Sequence, residues 1–94
     1  MTMAETIDEI SLNYEEDGQL LVKELDKDIL TRGAWTTIVF HYQQWDKKNE
    51  EFGKDLFTIR RYRKVSGKYM QQSKFNISNK DQAAKIIAAL QKWI

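Results

Sequence analysis

The chain has 94 residues, of which 41% are hydrophobic and 31% charged, a composition that fits one small globular domain. It has no cysteine and one histidine, which excludes disulfide scaffolds, thiolate zinc sites, iron–sulfur clusters and multi-histidine metal sites. The longest apolar run, residues 86–90, is far too short to span a membrane, and residues 1–10 do not resemble a secretory signal. We therefore expect a soluble, cytoplasmic protein with no membrane partner.

The formal net charge is +1, which taken alone argues against a polyanionic partner. The charges are unevenly distributed, however. Residues 1–55 carry 6 basic and 13 acidic side chains, whereas residues 56–94 carry 9 basic and 1 acidic. This asymmetry is typical of a nucleic-acid-binding protein or of an acidic tail, and equally of two halves that attract each other.

The first 18 residues are predicted to form an acidic N-terminal arm, because they carry six acidic side chains and no basic one. The arm ends at Asp17-Gly18, which is a turn signal. Residues 19–94 are predicted to form the folded domain.

Four segments of the domain are predicted to be β-strands, because they are rich in β-branched and aromatic residues or alternate in polarity. Ser66-Gly67-Lys68 predicts a tight hairpin between the last two strands, and residues 46–54 a polar loop. Residues 26–32 are ambiguous and could form a crossover, a bulge or a strand extension. The predicted strands are residues 19–25, 34–45, 55–65 and 69–77.

The C-terminal segment is predicted to be a helix that begins after a cap at Ser78 or Asn79. Its apolar residues follow the spacing of one buried stripe: Ala83, Ile86, Ile87, Leu90 and Ile94. The element order predicts an α+β fold, in which a four-stranded antiparallel meander is followed by one C-terminal helix (ββββα).

Side chains alternate between the two faces of a strand, so the apolar positions predict which face the helix covers. We expect Ile38, Phe40, Phe57, Ile59, Phe75 and Ile77 to face the helix. The opposite face would hold aromatic, basic, amide and hydroxyl side chains without any acid. These outward positions are Trp35, Thr37, Val39, His41, Gln43, Trp45, Leu56, Thr58, Arg60, Tyr62, Lys64, Met70, Gln72, Lys74 and Asn76.

Such a face has what single-stranded nucleic acid requires, namely cations for phosphates and aromatic planes for stacking. Arg61 and Arg63 point the other way along the strand but can extend past the helix into solvent. A purely structural role is the alternative, with the aromatics in a core or dimer interface and the basic run on a solvated edge. The candidate nucleic-acid-binding residues are Trp35, Trp45, Arg60, Arg61, Tyr62, Arg63, Lys64, Lys68, Gln72 and Lys74.

Nothing in the sequence indicates catalysis. It has no Gly-rich phosphate loop, metal motif or Ser-His-Asp spacing, and its paired carboxylates lie in polar segments. We therefore expect no enzymatic activity, cofactor, metal or small-molecule substrate.

The predicted proportions also suggest assembly. Four strands make a sheet about 20 Å wide, whereas one helix is about 10 Å across. One helix therefore leaves about half of the apolar face uncovered, and we expect a two-fold homodimer in which a second protomer covers the rest.

From Leu20 to Trp93 the chain resembles the positive-cofactor-four family, also called transcriptional coactivator p15, and its small bacterial members above all. Gly33-Ala34-Trp35-Thr36 is similar to the entry to the family's second strand. The segment from Leu56 to Tyr62 is similar to its third strand, and the segment from Lys74 to Gln82 to its last strand and helix start.

The resemblance implies a ββββα homodimer whose sheet binds single-stranded DNA with little sequence preference. The matching positions are Arg60, Tyr62, Lys74 and Trp35. Folds of the Pur-repeat and Whirly type share this strand order and would give a similar function through other contacts.

We therefore hypothesise a dimeric single-stranded nucleic-acid-binding protein, preferring DNA to RNA, that acts in transcription, replication or repair. The alternative is a protein-interaction or assembly module whose acidic arm docks on the basic face of its own chain or of a partner.

Overall fold

A computed structural model of the protein describes residues 4–94, which form one antiparallel sheet and one helix. A short 3-10 turn at Ile7–Glu9 precedes the strands. The strand order in the sheet is β1-β2-β3-β5-β6, and β4 pairs with the end of β3. The elements are β1 Tyr14–Glu16, β2 Gln19–Thr31, β3 Trp35–Asp46, β4 Glu51–Phe52, β5 Leu56–Val65, β6 Lys68–Ile77 and α1 Lys80–Gln91.

The α+β class, the antiparallel meander and the C-terminal helix are confirmed. The strand count differs, because β1 and β4 were not predicted. The ambiguous segment 26–32 is mainly a strand extension, since β2 continues to Thr31. Two bulges interrupt β2, one between Glu24 and Asp26 and one between Ile29 and Thr31. Each bulge inserts a residue and breaks the alternation of side chains, which removes the strand signal from the sequence.

Two of the hairpin turns follow directly from local sequence. Asp17 and Gly18 have φ angles of 51° and 80°, and Ser66 and Gly67 have φ angles of 51° and 81°. Two consecutive positive φ angles define the turn whose twist matches that of the flanking strands. The predicted hairpin at residues 66–68 is therefore confirmed, and Asp17-Gly18 joins β1 to β2.

Residues 4–13, which we call the N-terminal strap, cross one face of the sheet. At one end the Ala4 carbonyl accepts a hydrogen bond of 2.7 Å from the Tyr69 N–H on β6. Near the other end, Lys27 Nζ on β2 donates to the carbonyls of Asp8 (2.9 Å) and Ile10 (2.7 Å). The described part of the acidic arm is thus packed against the sheet; residues 1–3 of the arm lie outside the described residues. The division of the chain at residue 18 stays a prediction.

The strap supplies part of the hydrophobic core. Its apolar side chains are buried against the central strands, and we call the sheet face beneath it the strap face. The core cluster consists of Ala4, Ile10, Leu12, Ile38, Phe40, Tyr42, Tyr62 and Tyr69. Burial of these side chains is the main favourable term that holds the strap in place.

The prediction that the helix covers Ile38 and Phe40 is wrong, because these side chains lie under the strap. Ile38 is directly opposite Arg60 on β5, whereas Ile59 is opposite Val39. Directly opposed residues point to the same face of a sheet. The expectation that Ile38 and Phe40 share a face with Phe57 and Ile59 is therefore wrong. Both faces of β3 carry apolar side chains, so the polarity pattern alone did not define the register.

The second face of the sheet, which we call the open face, has little cover. Its central side chains are Val39, Ile59 and Phe75, and Phe75 remains 53% exposed. The helix α1 contacts chiefly β6, and none of its residues is buried. The described residues measure 40 × 39 × 17 Å. Their smallest dimension, 17 Å, corresponds to one sheet and one covering segment. Nor does any helix in residues 4–94 have the length and apolar character needed to cross a membrane.

The strap makes a prediction about stability. Leu12 in the strap is 8% exposed, whereas Leu30 on β2 is 56% exposed. Leu12→Ala should lower the free energy of unfolding by about 2–4 kcal/mol, because it opens a cavity in the core. The same change at Leu30 should cost less than about 1 kcal/mol. Urea denaturation of both variants measures these changes. Equal losses of unfolding free energy would contradict a stabilising role for the strap.

Candidate functional site

The structure divides the ten candidate binding residues between the two faces of the sheet. The expectation that Trp35 and Trp45 share a face with Arg60, Tyr62 and Lys74 is wrong, because the register of β3 and β5 puts these two groups on opposite faces. Cross-strand pairs place Arg60, Tyr62 and Lys74 on the strap face. Lys64 lies on the same face, opposite Tyr69. Five other candidates lie on the open face: Trp35, Trp45, Arg61, Arg63 and Lys68. Gln72 lies in the bulge of β6 and has no direct partner in the sheet register.

Trp35 is the centre of an exposed cation–aromatic cluster on the open face. The Arg61 guanidinium carbon lies 4.6 Å from the centre of the indole ring, and that of Arg63 lies 5.6 Å away. The pairing of Trp35 with Arg63 across β3 and β5 fixes this arrangement. Trp35 is still 44% exposed, so the stack presents planar surface to solvent.

Two lysines extend this cluster around the end of β5 and the start of β6. Lys64 Nζ lies 5.6 Å from the centre of the Tyr69 ring, and Lys68 is exposed beside the hairpin turn. We call the set Trp35, Arg61, Arg63, Lys64 and Lys68 the basic corner. Within residues 4–94, no carboxylate forms an ion pair with any of its four cations. The cations are therefore available to an external anion.

Arg60 and Tyr62 lie beneath the strap. Arg60 Nη1 donates a 2.9 Å hydrogen bond to Gln71 Oε1, whereas Arg60 Nε is buried with no hydrogen-bond partner among the described residues. Tyr62 is 5% exposed, and its burial raises the pKa of the phenol above its ordinary value. Tyr62 is thus a core residue, and Arg60 is reached through a cleft at the edge of the strap.

Trp45 lies far from the basic corner. It is separated from Trp35 by the length of β3, about 33 Å. Its ring packs edge-on against Phe52 of β4, with the ring centres 5.1 Å apart. This pair fixes the short β3–β4 hairpin. The structure therefore does not bring the two tryptophans of β3 together.

The outer edge of β6, which is hydrogen-bonded to the strap only at Tyr69 among the described residues, carries the remaining candidates. Gln72 and Lys74 are both exposed, and Lys74 lies directly opposite Arg60. Gln72 Nε2 donates to the Met70 carbonyl at 3.2 Å. Lys68, Gln72 and Lys74 thus mark a polar edge that leads away from the basic corner.

An ionic cluster that the sequence did not indicate joins α1 to the sheet. The Asp55 carboxylate accepts a 2.9 Å hydrogen bond from Gln43 Nε2. Asp55 Oδ2 also lies 3.1 Å from His41 Nε2 and 3.5 Å from Lys80 Nζ at the helix start. The hydrogen bond from Gln43 and the adjacent His41 imidazole lower the pKa of Asp55. No local pattern marks Asp55, because its partners come from β3 and α1.

The described part of the chain offers no candidate metal centre. In residues 4–94, no three His, Asp or Glu side chains are grouped so that they could hold a metal ion. Comparisons of the chain with protein-family models, with curated proteins and with solved structures found no match. The basic corner is the candidate site because its cations can contact an external anion and its tryptophan is exposed beside them.

The Asp55 cluster predicts a pH dependence of stability. Because the pKa of Asp55 is lowered in the folded state, its contribution is complete above the ordinary value of 3.8 and is lost as the pH falls through the lowered pKa. The wild type should lose more stability than Asp55→Asn when the pH falls from about 5 to about 2.5. Denaturant titrations at both pH values measure the difference, and parallel losses would show that Asp55 is not involved.

Proposed function

We propose that the protein is a non-catalytic, cytoplasmic single-stranded nucleic-acid-binding protein that prefers DNA to RNA and acts in transcription, replication or repair. The basic corner carries the proposal, because it combines an exposed indole–guanidinium stack with unpaired cations. Bases stack on such planar groups whatever their sequence, and cations track the phosphates. The resemblance to the positive-cofactor-four family supports the same function.

The shape of the corner favours a single strand over a duplex. Reading a duplex takes a helix or ribbon that enters a groove, and the exposed side of α1 carries only spaced lysines. An exposed Trp35 stack needs an unpaired base, which a single strand presents without the cost of unstacking. A strand bound there would continue along the β6 edge, where Lys74 offers the next cation.

The acidic arm does not favour the alternative assembly function. Asp8 pairs with Arg32 on the β2 side of the sheet at 3.6 Å, and the strap contacts the sheet chiefly through apolar side chains and backbone carbonyls. The described arm therefore leaves the basic corner free for nucleic acid.

The proposal includes a homodimer. Apolar side chains of the open face and the helix remain exposed in a single chain, which favours a second copy as their cover. They include Phe75, Ile87, Leu90 and Trp93.

Titration of labelled oligo-dT tests binding. If the four cations of the basic corner neutralise about four phosphates, the affinity should fall about fiftyfold between 50 and 200 mM salt. A matched duplex should bind more weakly. Absence of binding to oligo-dT at low salt would overturn the proposal.

Charge-matched variants locate the site. Arg61→Ala with Arg63→Ala should weaken binding and reduce the slope of log K against log salt by about 1.4. Lys47→Ala with Lys48→Ala removes two exposed cations at the other end of β3 and should leave binding nearly unchanged. Equal losses in the two double variants would show nonspecific attraction rather than a site.

Light scattering over a range of concentrations tests the dimer. We expect twice the mass of the chain for the wild type, and the mass of one chain for Ile87→Glu with Leu90→Glu. Both side chains are more than half exposed in the single chain, so these changes should not unfold it. Circular dichroism checks the fold of the variant, and a wild-type monomer at tens of micromolar would contradict the dimer.

A further inference from the structure

A cleft of about 220 Å³ lies between the N-terminal strap and the centre of the sheet. One wall is formed by strap residues, among them Leu12 and Asn13, and the other by Arg60, Tyr62 and Gln71. Val22 on β2 adds an apolar side. The cleft is thus lined by aromatic and aliphatic groups with a few polar groups, which is the usual character of a small-molecule site.

Arg60 gives the cleft its chemistry. Its bond to Gln71 holds the guanidinium through Nη1, and Arg60 Nε remains buried without a partner within residues 4–94. Arg60 Nε is closed to solvent, so the donors that Arg60 offers to a ligand in the cleft are the terminal guanidinium N–H groups not bound to Gln71. The Asn13 and Gln71 amides add further donors, so the cleft offers mainly donors to whatever enters it.

The charge balance favours a neutral ligand over a free anion. The Glu24 carboxylate lies on the same side of the sheet, where its Oε1 accepts the Leu12 N–H at 3.0 Å. It offsets the positive charge of Arg60. Burial raises the pKa of the Tyr62 phenol, although the charge of Arg60 acts against it, so the phenol stays protonated at neutral pH. A planar group with acceptors on its edge therefore fits better than phosphate.

We propose that this cleft is a base-recognition subsite that takes one base of the bound strand and prefers guanine. The proposal rests on the proposed function of the basic corner and adds a base preference to it. Arginine contacts guanine O6 and N7 with two parallel hydrogen bonds, which adenine and cytosine cannot accept in the same way.

The strand can reach the cleft from the edge of the sheet. Lys74 is exposed on β6 and lies directly across from Arg60 on the strap face. A phosphate on Lys74 would therefore place the neighbouring base near Arg60. The same edge leads through Gln72 toward Lys68 in the basic corner, past Tyr69, where the Ala4 carbonyl of the strap is bonded to β6. We expect one strand to pass outside this contact and reach both sites.

The test uses oligo-dT of about 12 nucleotides with a single central guanine, adenine or 7-deazaguanine. The wild type should bind the guanine strand roughly tenfold more tightly than the adenine strand. Replacing N7 by carbon in 7-deazaguanine should remove most of this preference. Equal affinities for the three strands would overturn the base subsite while leaving the proposed function intact, and absence of binding to all of them would overturn both.

Two matched variants locate the preference. Arg60→Lys keeps the charge but loses the planar pair of donors, so it should bind the guanine and adenine strands equally with an unchanged salt dependence. Arg61→Lys makes the same change on the open face and should keep the guanine preference. A guanine preference that survives Arg60→Lys would contradict the assignment, and if that variant fails to fold, the 7-deazaguanine comparison with the wild type decides alone.

Discussion

The strap crossing from β6 to β2 is the contact on which the rest of this structure depends. In residues 4–94 the sheet has two faces that carry apolar side chains, and a single short helix is available to cover them. The strap seals one face with Ile10 and Leu12, and its backbone groups find partners on the sheet. Lys27 Nζ binds two of its carbonyls, and Glu24 accepts the Leu12 N–H. Without such partners, an irregular segment could not lie on an apolar face, because buried backbone groups must be hydrogen-bonded.

The structure also shows which charges neutralise each other. Asp8 of the strap pairs with Arg32, three residues before Trp35, whereas no carboxylate in residues 4–94 pairs with Arg61, Arg63, Lys64 or Lys68. The near-zero net charge is thus a sum over the whole chain, and the field near the basic corner is set mainly by the local cations.

Much of the fold could be predicted from local sequence, and the candidate site only in part. The Asp17-Gly18 and Ser66-Gly67 turns, the strands and the helix cap at Asn79 are local features. Asn79 Oδ1 accepts the Gln82 N–H at 2.7 Å, which is the expected capping bond. The run from Arg60 to Lys64 was rightly expected to place charge on both faces of the strand. The burial of Tyr62 could not be predicted, because it depends on a strap about 50 residues away in the chain.

The sequence by itself determined the α+β class, the meander order, the turns and the place of the helix, since these depend on propensities and on hydrogen bonds between near neighbours. Only the tertiary structure decided which face of the sheet is buried. In β3, Ile38 and Phe40 alternate with Trp35 and Val39, so both faces are apolar enough to be a core. The alternation of side chains shows which residues share a face of a strand, but it does not show which of the two faces is buried. The strap and the Ile38–Arg60 register made that choice, and with it they placed Arg60 in a cleft and Arg61 and Arg63 beside Trp35.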